Sequence, residues 1–161
     1  MLLNILTGIA VTLLCLFLQA SVVAIGLRRY VRFKVGRTGG PSRRVDFLFL
    51  STVMVMMMGG LLAQIVIWAV LFMLIGEFDD FKTALYHSGV NFAGLGYGDI
   101  VMSEDRRLLG PIEAANGILM FGLAAAMMTA AVMDIIKHNS RRLQPPAAKE
   151  DEEAQRSGEG R

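Results

Sequence analysis

A single cysteine, Cys15, stands in the 161-residue chain, in the middle of an apolar run. A lone thiol excludes both a disulfide framework and a cysteine-based metal cluster, and it leaves the redox compartment open. Excess charge is scarce too, with a formal net charge of +2. No segment interleaves basic residues with exposed aromatics, which argues against nucleic acid as a partner. No nucleophile has a paired base, and the carboxylates are spread along a polar segment, so the chain has no support as an enzyme. The Gly94-x-Gly96 spacing imitates part of a dinucleotide fingerprint, yet no strand precedes it and no helix start follows at the required distance. No cofactor is implied.

Apolar residues are abundant: 54% of the chain is hydrophobic and the mean hydropathy is +0.51. That is too apolar for an ordinary soluble domain, and a membrane is the natural solvent. About 20 apolar residues span a bilayer, and three runs are long enough. The first, Leu2 to Leu27, is interrupted only by Asn4, Gln19 and small hydroxyls. Its Met-Leu-Leu-Asn start has no positive charge and the run exceeds a normal signal-peptide core, so it is expected to be retained as a helix. The second, Val45 to Gly76, would measure about 48 Å as one helix against a hydrocarbon core of about 30 Å. It must tilt, bend or protrude, and Gly59-Gly60 is either a flexible point or a close helix contact. The third runs from Ile112 to Ile136 and contains Glu113, Asn116 and Asp134.

Arg28, Arg29, Arg32, Lys34, Arg37, Arg43 and Arg44 separate the first two runs. The positive-inside rule makes this loop cytoplasmic, with the N-terminus outside and the tail, carrying Lys137, Arg141 and Arg142, inside. Tyr30 and Phe33 suit the inner interface, and the basic loop can also meet anionic lipid. The outward connection holds Glu77, Asp79, Asp80, Asp99, Glu104 and Asp105 against Lys82, Arg106 and Arg107. Within it, Phe81 to Phe92 is too apolar for water and too short to span. Asp79 or Asp80 can cap a helix of about 18 Å that reaches partway into the membrane. The chain must then return through Ala93-Gly94-Leu95-Gly96-Tyr97-Gly98-Asp99 without helical hydrogen bonds. Such backbone is tolerated at membrane depth only when buried in protein or lining a water-filled cavity. Glycine at alternate positions permits φ > 0 at every second residue, so that successive carbonyls can face one side and a ring of such segments can offer oxygens to a dehydrated cation.

Leu95-Gly96-Tyr97-Gly98-Asp99, the half-helix before it and Asn116-Gly117-Ile118-Leu119-Met120-Phe121-Gly122-Leu123 after it resemble the pore module of potassium channels, over about Val45 to Ile136. The resemblance implies an outer helix, a pore helix, a selectivity filter and an inner helix, four copies of which surround one axis. It implies a homotetramer, and one loop cannot encircle an ion by itself. The family pattern Thr-Val-Gly-Tyr-Gly-Asp falls on Gly94, Leu95, Gly96, Tyr97, Gly98 and Asp99. The carbonyls of Gly94, Leu95, Gly96 and Tyr97 would then be the potassium ligands, with Gly96 and Gly98 as the permissive backbone and the Tyr97 ring bracing the filter against the pore helices. Gly94 replaces the family's threonine and removes a hydroxyl layer at the cytoplasmic end, which predicts weaker discrimination against sodium.

By the same resemblance Gly117 is an inner-helix hinge, although a small residue also admits close packing, as does Gly122. Ile118, Phe121, Ala125 and Thr129 follow helical spacing and are expected to face the cavity, with Asn116 exposed there or structural. Glu113 is expected to hydrogen-bond behind the filter. His87 reads as a packed side chain, His138 as a solvated neighbour of the basic tail, and Met54, Met56, Met57 and Met58 as lipid or helix packing. The first run has no internal arginine and cannot be an arginine-rich voltage sensor.

The reading is therefore an all-α membrane protein with three transmembrane helices and a re-entrant pore helix. Residues 1–27 form the first helix, 28–44 a basic cytoplasmic loop, 45–138 the pore domain and 139–161 a disordered tail. Potassium is the permeant ligand, the plasma (cell inner) membrane the site, and lipid and three further copies the partners. A nonselective cation channel and a non-conducting scaffold or regulatory subunit are the alternatives.

Overall fold

The structure, a computed structural model, describes residues 2–35 and 43–143. Four helices follow one another: α1 (Leu2–Val35), α2 (Arg43–Leu74), α3 (Phe81–Phe92) and α4 (Leu109–Leu143). No strand occurs among the described residues. Three of the helices are long and apolar enough to cross a membrane, through Leu2–Gly26, Phe47–Leu74 and Leu109–Lys137. A helix satisfies its backbone internally, which is what hydrocarbon demands. The hydroxyls in these runs are satisfied in the same way. Thr7, Thr12, Ser21 and Thr52 each donate to the carbonyl four residues earlier, so none needs a partner in lipid.

Helix boundaries depart from the expected ones in two places. The chain does not leave the helix at residue 27, since α1 continues through Arg28, Arg29 and Arg32 to Val35. Arginine and lysine are good helix formers, so a basic stretch marks the membrane boundary without ending the helix. Likewise α4 runs to Leu143 and takes in the first residues of the segment expected to be a disordered tail. The remainder of that tail, and the side chains of Tyr30, Phe33, Asp134 and His138, lie outside the described residues.

Two compact units divide the chain, Met1–Met128 and Thr129–Arg161. In the first, Cys15, Trp68, Phe72, Phe92, Leu109 and Met120 are fully buried or nearly so. The core also holds polar side chains. Gln64 Nε2 donates to Gln19 Oε1 at 2.9 Å, and Gln19 Nε2 to Met57 Sδ at 3.5 Å, so one glutamine pair ties α1 to α2. At the N-terminal end of α1, Asn4 Nδ2 donates to the Asp105 carbonyl, and Gly8 faces Leu109 and Ile112. The start of α1 therefore lies where α4 begins.

Helix α2 passes through Gly59-Gly60 without a break. Gly60 is buried, and a Cβ there would lie 2.6 Å from Gln19 Oε1, whereas Gly59 has nothing within 4 Å. The pair is thus a one-sided contact that lets the glutamine bridge form. Gly60→Ala must displace Gln19 and break that bridge, and a fall of about 1 kcal/mol in unfolding free energy is expected. Gly59→Ala should leave stability unchanged. Reversible denaturation in mixed micelles reads both, and equal effects would contradict the one-sided packing.

Candidate functional site

Asp80 starts the half-helix. It has extended backbone (φ −114°, ψ 127°), and its Oδ2 accepts from Thr83 N at 3.0 Å and from Thr83 Oγ1 at 3.1 Å. These bonds stabilise the carboxylate and hold the Asp80 carboxyl below its ordinary value. They also satisfy an amide that has no partner within the helix. At about 18 Å, α3 is too short to cross. Its Ala84, His87, Ser88, Val90 and Phe92 are buried.

The glycine-rich segment leaves α3 on its own terminal carbonyls. Ala93 N donates to Gly89 O at 3.1 Å, Gly94 N to Asn91 O at 2.8 Å and Leu95 N to Val90 O at 2.9 Å, with a longer bond from Gly96 N to Val90 O. Gly94, Gly96 and Gly98 have φ of 71°, 57° and 74°, and no residue other than glycine has positive φ. The sign of φ therefore alternates from Gly94 to Gly98. This is the backbone that only glycine adopts without strain. Residues 93–99 are all exposed, with Leu95 at 55% and Tyr97 at 66%. Tyr97 is thus largely uncovered by its own chain. An open groove of about 620 Å³ borders Gly94, Gly96 and Gly98 and is walled on its other sides by His87, Asn91 and Arg107.

The far end of the segment is anchored from both sides. Tyr86 on α3 donates its hydroxyl to Asp99 Oδ2 at 2.7 Å. That bond holds the Asp99 carboxyl below its ordinary value and the Tyr86 phenol above its own. Beyond Asp99, the Glu77 carboxylate accepts from Ser103 N and, at 2.9 Å, from Ser103 Oγ. Arg106 donates to the Ile75 carbonyl and lies 3.7 Å from Glu77. The end of α2 is thereby clasped to the loop that leads into α4.

Behind α3, Ser88 Oγ sits 2.8 Å from the Ile65 carbonyl and 2.5 Å from Glu113 Oε1. One buried hydroxyl thus joins α2, α3 and α4, and Glu113 has the hydrogen-bonding place expected of it. Gly117 meets the end of α3 directly, since a Cβ there would collide with the Phe92 carbonyl oxygen. Helix α4 is uninterrupted at this residue, so close packing accounts for the glycine.

Ile118, Phe121, Ala125 and Thr129 are exposed. Asn116 is not exposed to a cavity; it is 2% exposed, and neither Nδ2 nor Oδ1 has a hydrogen-bond partner among the described residues. The physical reason is helical phase. Residues 113, 116, 117, 120 and 124 form the buried stripe, and Ile118 lies on the other side of the helix. Asn116 is instead beside the Cys15 thiol of α1.

Tyr86, Ser88 and Asn91 carry much of this support, and nothing in the sequence singled them out. Tyr86 and Ser88 find their partners 13 or more residues away and outside α3, so no periodicity reports them. Glu77 and Arg106 registered only as loop charge.

A family model for ion channels matches residues 60–134. No curated protein and no solved structure matches the chain. Tyr86→Phe removes the only hydroxyl that Asp99 accepts from α3. Asp99 then loses the stabilisation that is present above its ordinary value of 3.8 and lost as pH falls through the depressed one. Carboxyl-carbon NMR should find its titration moved upward in the variant, and an unmoved curve would contradict the bond. The stretch similar to the ion-channel family, residues 60–134, runs from the middle of α2 through α3 and the glycine segment into α4.

Proposed function

We propose that the chain is one subunit of a homotetrameric channel that conducts potassium passively across a membrane. The observation that carries this reading is the alternation of φ sign over Gly94 to Gly98 in an exposed segment held at the end of a half-helix. Residues in alternating hands of backbone can turn successive carbonyls to one side, and a dehydrated cation needs such oxygens in place of its hydration shell. The carbonyls of Gly94, Leu95, Gly96 and Tyr97 are the proposed ligands. One segment supplies one side of a coordination cage, so further copies must supply the others.

Exposure supports the same assembly. Leu95, Tyr97, Val101, Ile118, Leu119 and Phe121 are all exposed apolar residues near the glycine segment or on the first half of α4. In the tetramer Tyr97 packs on a neighbouring copy, and Ile118, Phe121, Ala125 and Thr129 line the cavity. The N-terminus is outside and the basic stretch inside, in the plasma (cell inner) membrane.

Gly94 sets the selectivity. It offers no hydroxyl, and its φ of 71° lies where a β-branched residue costs about 1–2 kcal/mol. The innermost ion site therefore has one oxygen layer fewer than a threonine filter, and discrimination against sodium is reduced. Purified protein in liposomes tests the reading. Potassium flux should exceed that of empty vesicles and exceed sodium flux, and Gly94→Thr should raise the potassium-to-sodium ratio. Equal fluxes of the two ions would establish a nonselective channel instead. Absence of both fluxes across varied voltage and pH would contradict conduction and favour a scaffold.

A further inference from the structure

His87 is buried in α3, between the rings of Phe72 and Phe78 at centroid distances of 5.5 and 5.0 Å. Both of its ring nitrogens are engaged. Nδ1 lies 3.0 Å from the carbonyl oxygen of Ile100, the residue directly after Asp99. Nε2 lies 2.8 Å from Asn91 Nδ2. A carbonyl only accepts and an amide NH2 only donates, so the partners select one tautomer: Nδ1 carries the hydrogen and Nε2 accepts. Asn91, one turn further along α3, also faces Glu113 of α4.

We propose that His87 is a positioning residue for the outer end of the ion path, holding the Ile100 carbonyl with Nδ1–H while its Nε2 fixes the Asn91 amide between α3 and α4. The proposal rests on the filter reading above. Ile100 has no side-chain function in it; the backbone that follows the filter is pinned to the half-helix by one imidazole. Together with Tyr86 to Asp99, this gives two adjacent residues of α3 that grip two adjacent residues of the exit.

The imidazole is also the part of this bracket that acid can open. A proton on Nε2 turns the acceptor into a donor that faces the Asn91 NH2, and the amide must rotate to offer Oδ1, leaving its present orientation toward Glu113. The charged groups around the ring are Glu77 from the α2–α3 connection, Asp99 from the filter end, Glu113 across Asn91, and Glu104 and Arg107 on the wall of the shared groove. Burial holds His87 below its ordinary value of 6.5, against the opposing pull of the Ile100 carbonyl, Glu77 and Asp99. The neutral bracket is accordingly intact above that value and is lost as pH falls below it, through the depressed one.

Two readouts test the proposal, and the first is independent of conduction. The chain has two histidines, so nitrogen-15 NMR of imidazole-labelled protein in bilayers, with H138Q to assign the signals, reports the His87 tautomer directly. A protonated Nδ1 and bare Nε2 at pH 7.5 are expected; the opposite tautomer overturns the bracket even if the protein conducts. The second readout is the potassium-to-sodium flux ratio against pH. His87→Asn places an amide NH2 where Nδ1–H stood, and should retain the ratio while abolishing its decline in acid. His87→Gln lacks a donor at that position and should lower the ratio about fivefold, the factor for one net hydrogen bond of about 1 kcal/mol. Equal ratios and equal pH profiles in the wild type and both variants would overturn the positioning role. Absence of flux from every form, with the expected tautomer present, would overturn the channel reading and the positioning role while leaving the hydrogen bonds.

Discussion

Backbone that enters a membrane must find its hydrogen bonds inside the protein, and the rest of this structure depends on how that demand is met between Ala93 and Ile100. The amides of Ala93, Gly94, Leu95 and Gly96 are absorbed by the last carbonyls of α3. Asp99 and Ile100 are held by side chains of the same helix. The half-helix thus serves as the scaffold of the segment that follows it. Without α3 the glycine-rich chain would lose the carbonyls and side chains that fix its path. With it, three glycines can hold positive φ in a row of alternate residues.

The scaffold is braced by polar contacts in an otherwise apolar bundle. Ser88 joins α3 to Ile65 and Glu113, Gln19 and Gln64 join α1 to α2, and Asn116 stands beside Cys15. Between helices in lipid the hydrophobic effect supplies little preference, so close packing and such bonds decide which faces meet. Gly60 and Gly117 serve the packing half of that arrangement, one under Gln19 and the other under the Phe92 carbonyl. The additional helix α1 is therefore built into the unit that holds the glycine segment, through its contacts with both α2 and the start of α4.

Much of this was legible in the residues, for physical reasons. Long apolar runs report spans because lipid permits few alternatives, and the Phe81 to Phe92 run reports a half-helix because it is apolar, short and preceded by Asp80. Alternate glycines report their own backbone. The end of α1 was not legible, because arginine suits both a helix and a cytoplasmic loop. The place of Asn116, left open between the cavity and a structural role, was not legible because the spacing of Ile118, Phe121 and Ala125 gives the exposed stripe, whereas Asn116 falls on the buried one with Glu113 and Met120. The bonds from Tyr86 to Asp99 and from His87 to Ile100 join residues 13 apart, across a turn whose path no local pattern specifies.

The central claim is that four copies of Gly94 to Tyr97 form one column of carbonyl oxygens around dehydrated cations. Crystals of the protein grown with thallium, an electron-dense substitute for potassium, test it most directly through anomalous scattering. The account predicts a row of peaks on a four-fold axis, each ringed by backbone oxygens from residues 94–97. A four-fold assembly with no peaks between those residues, or an assembly that leaves the segment away from the symmetry axis, would contradict it.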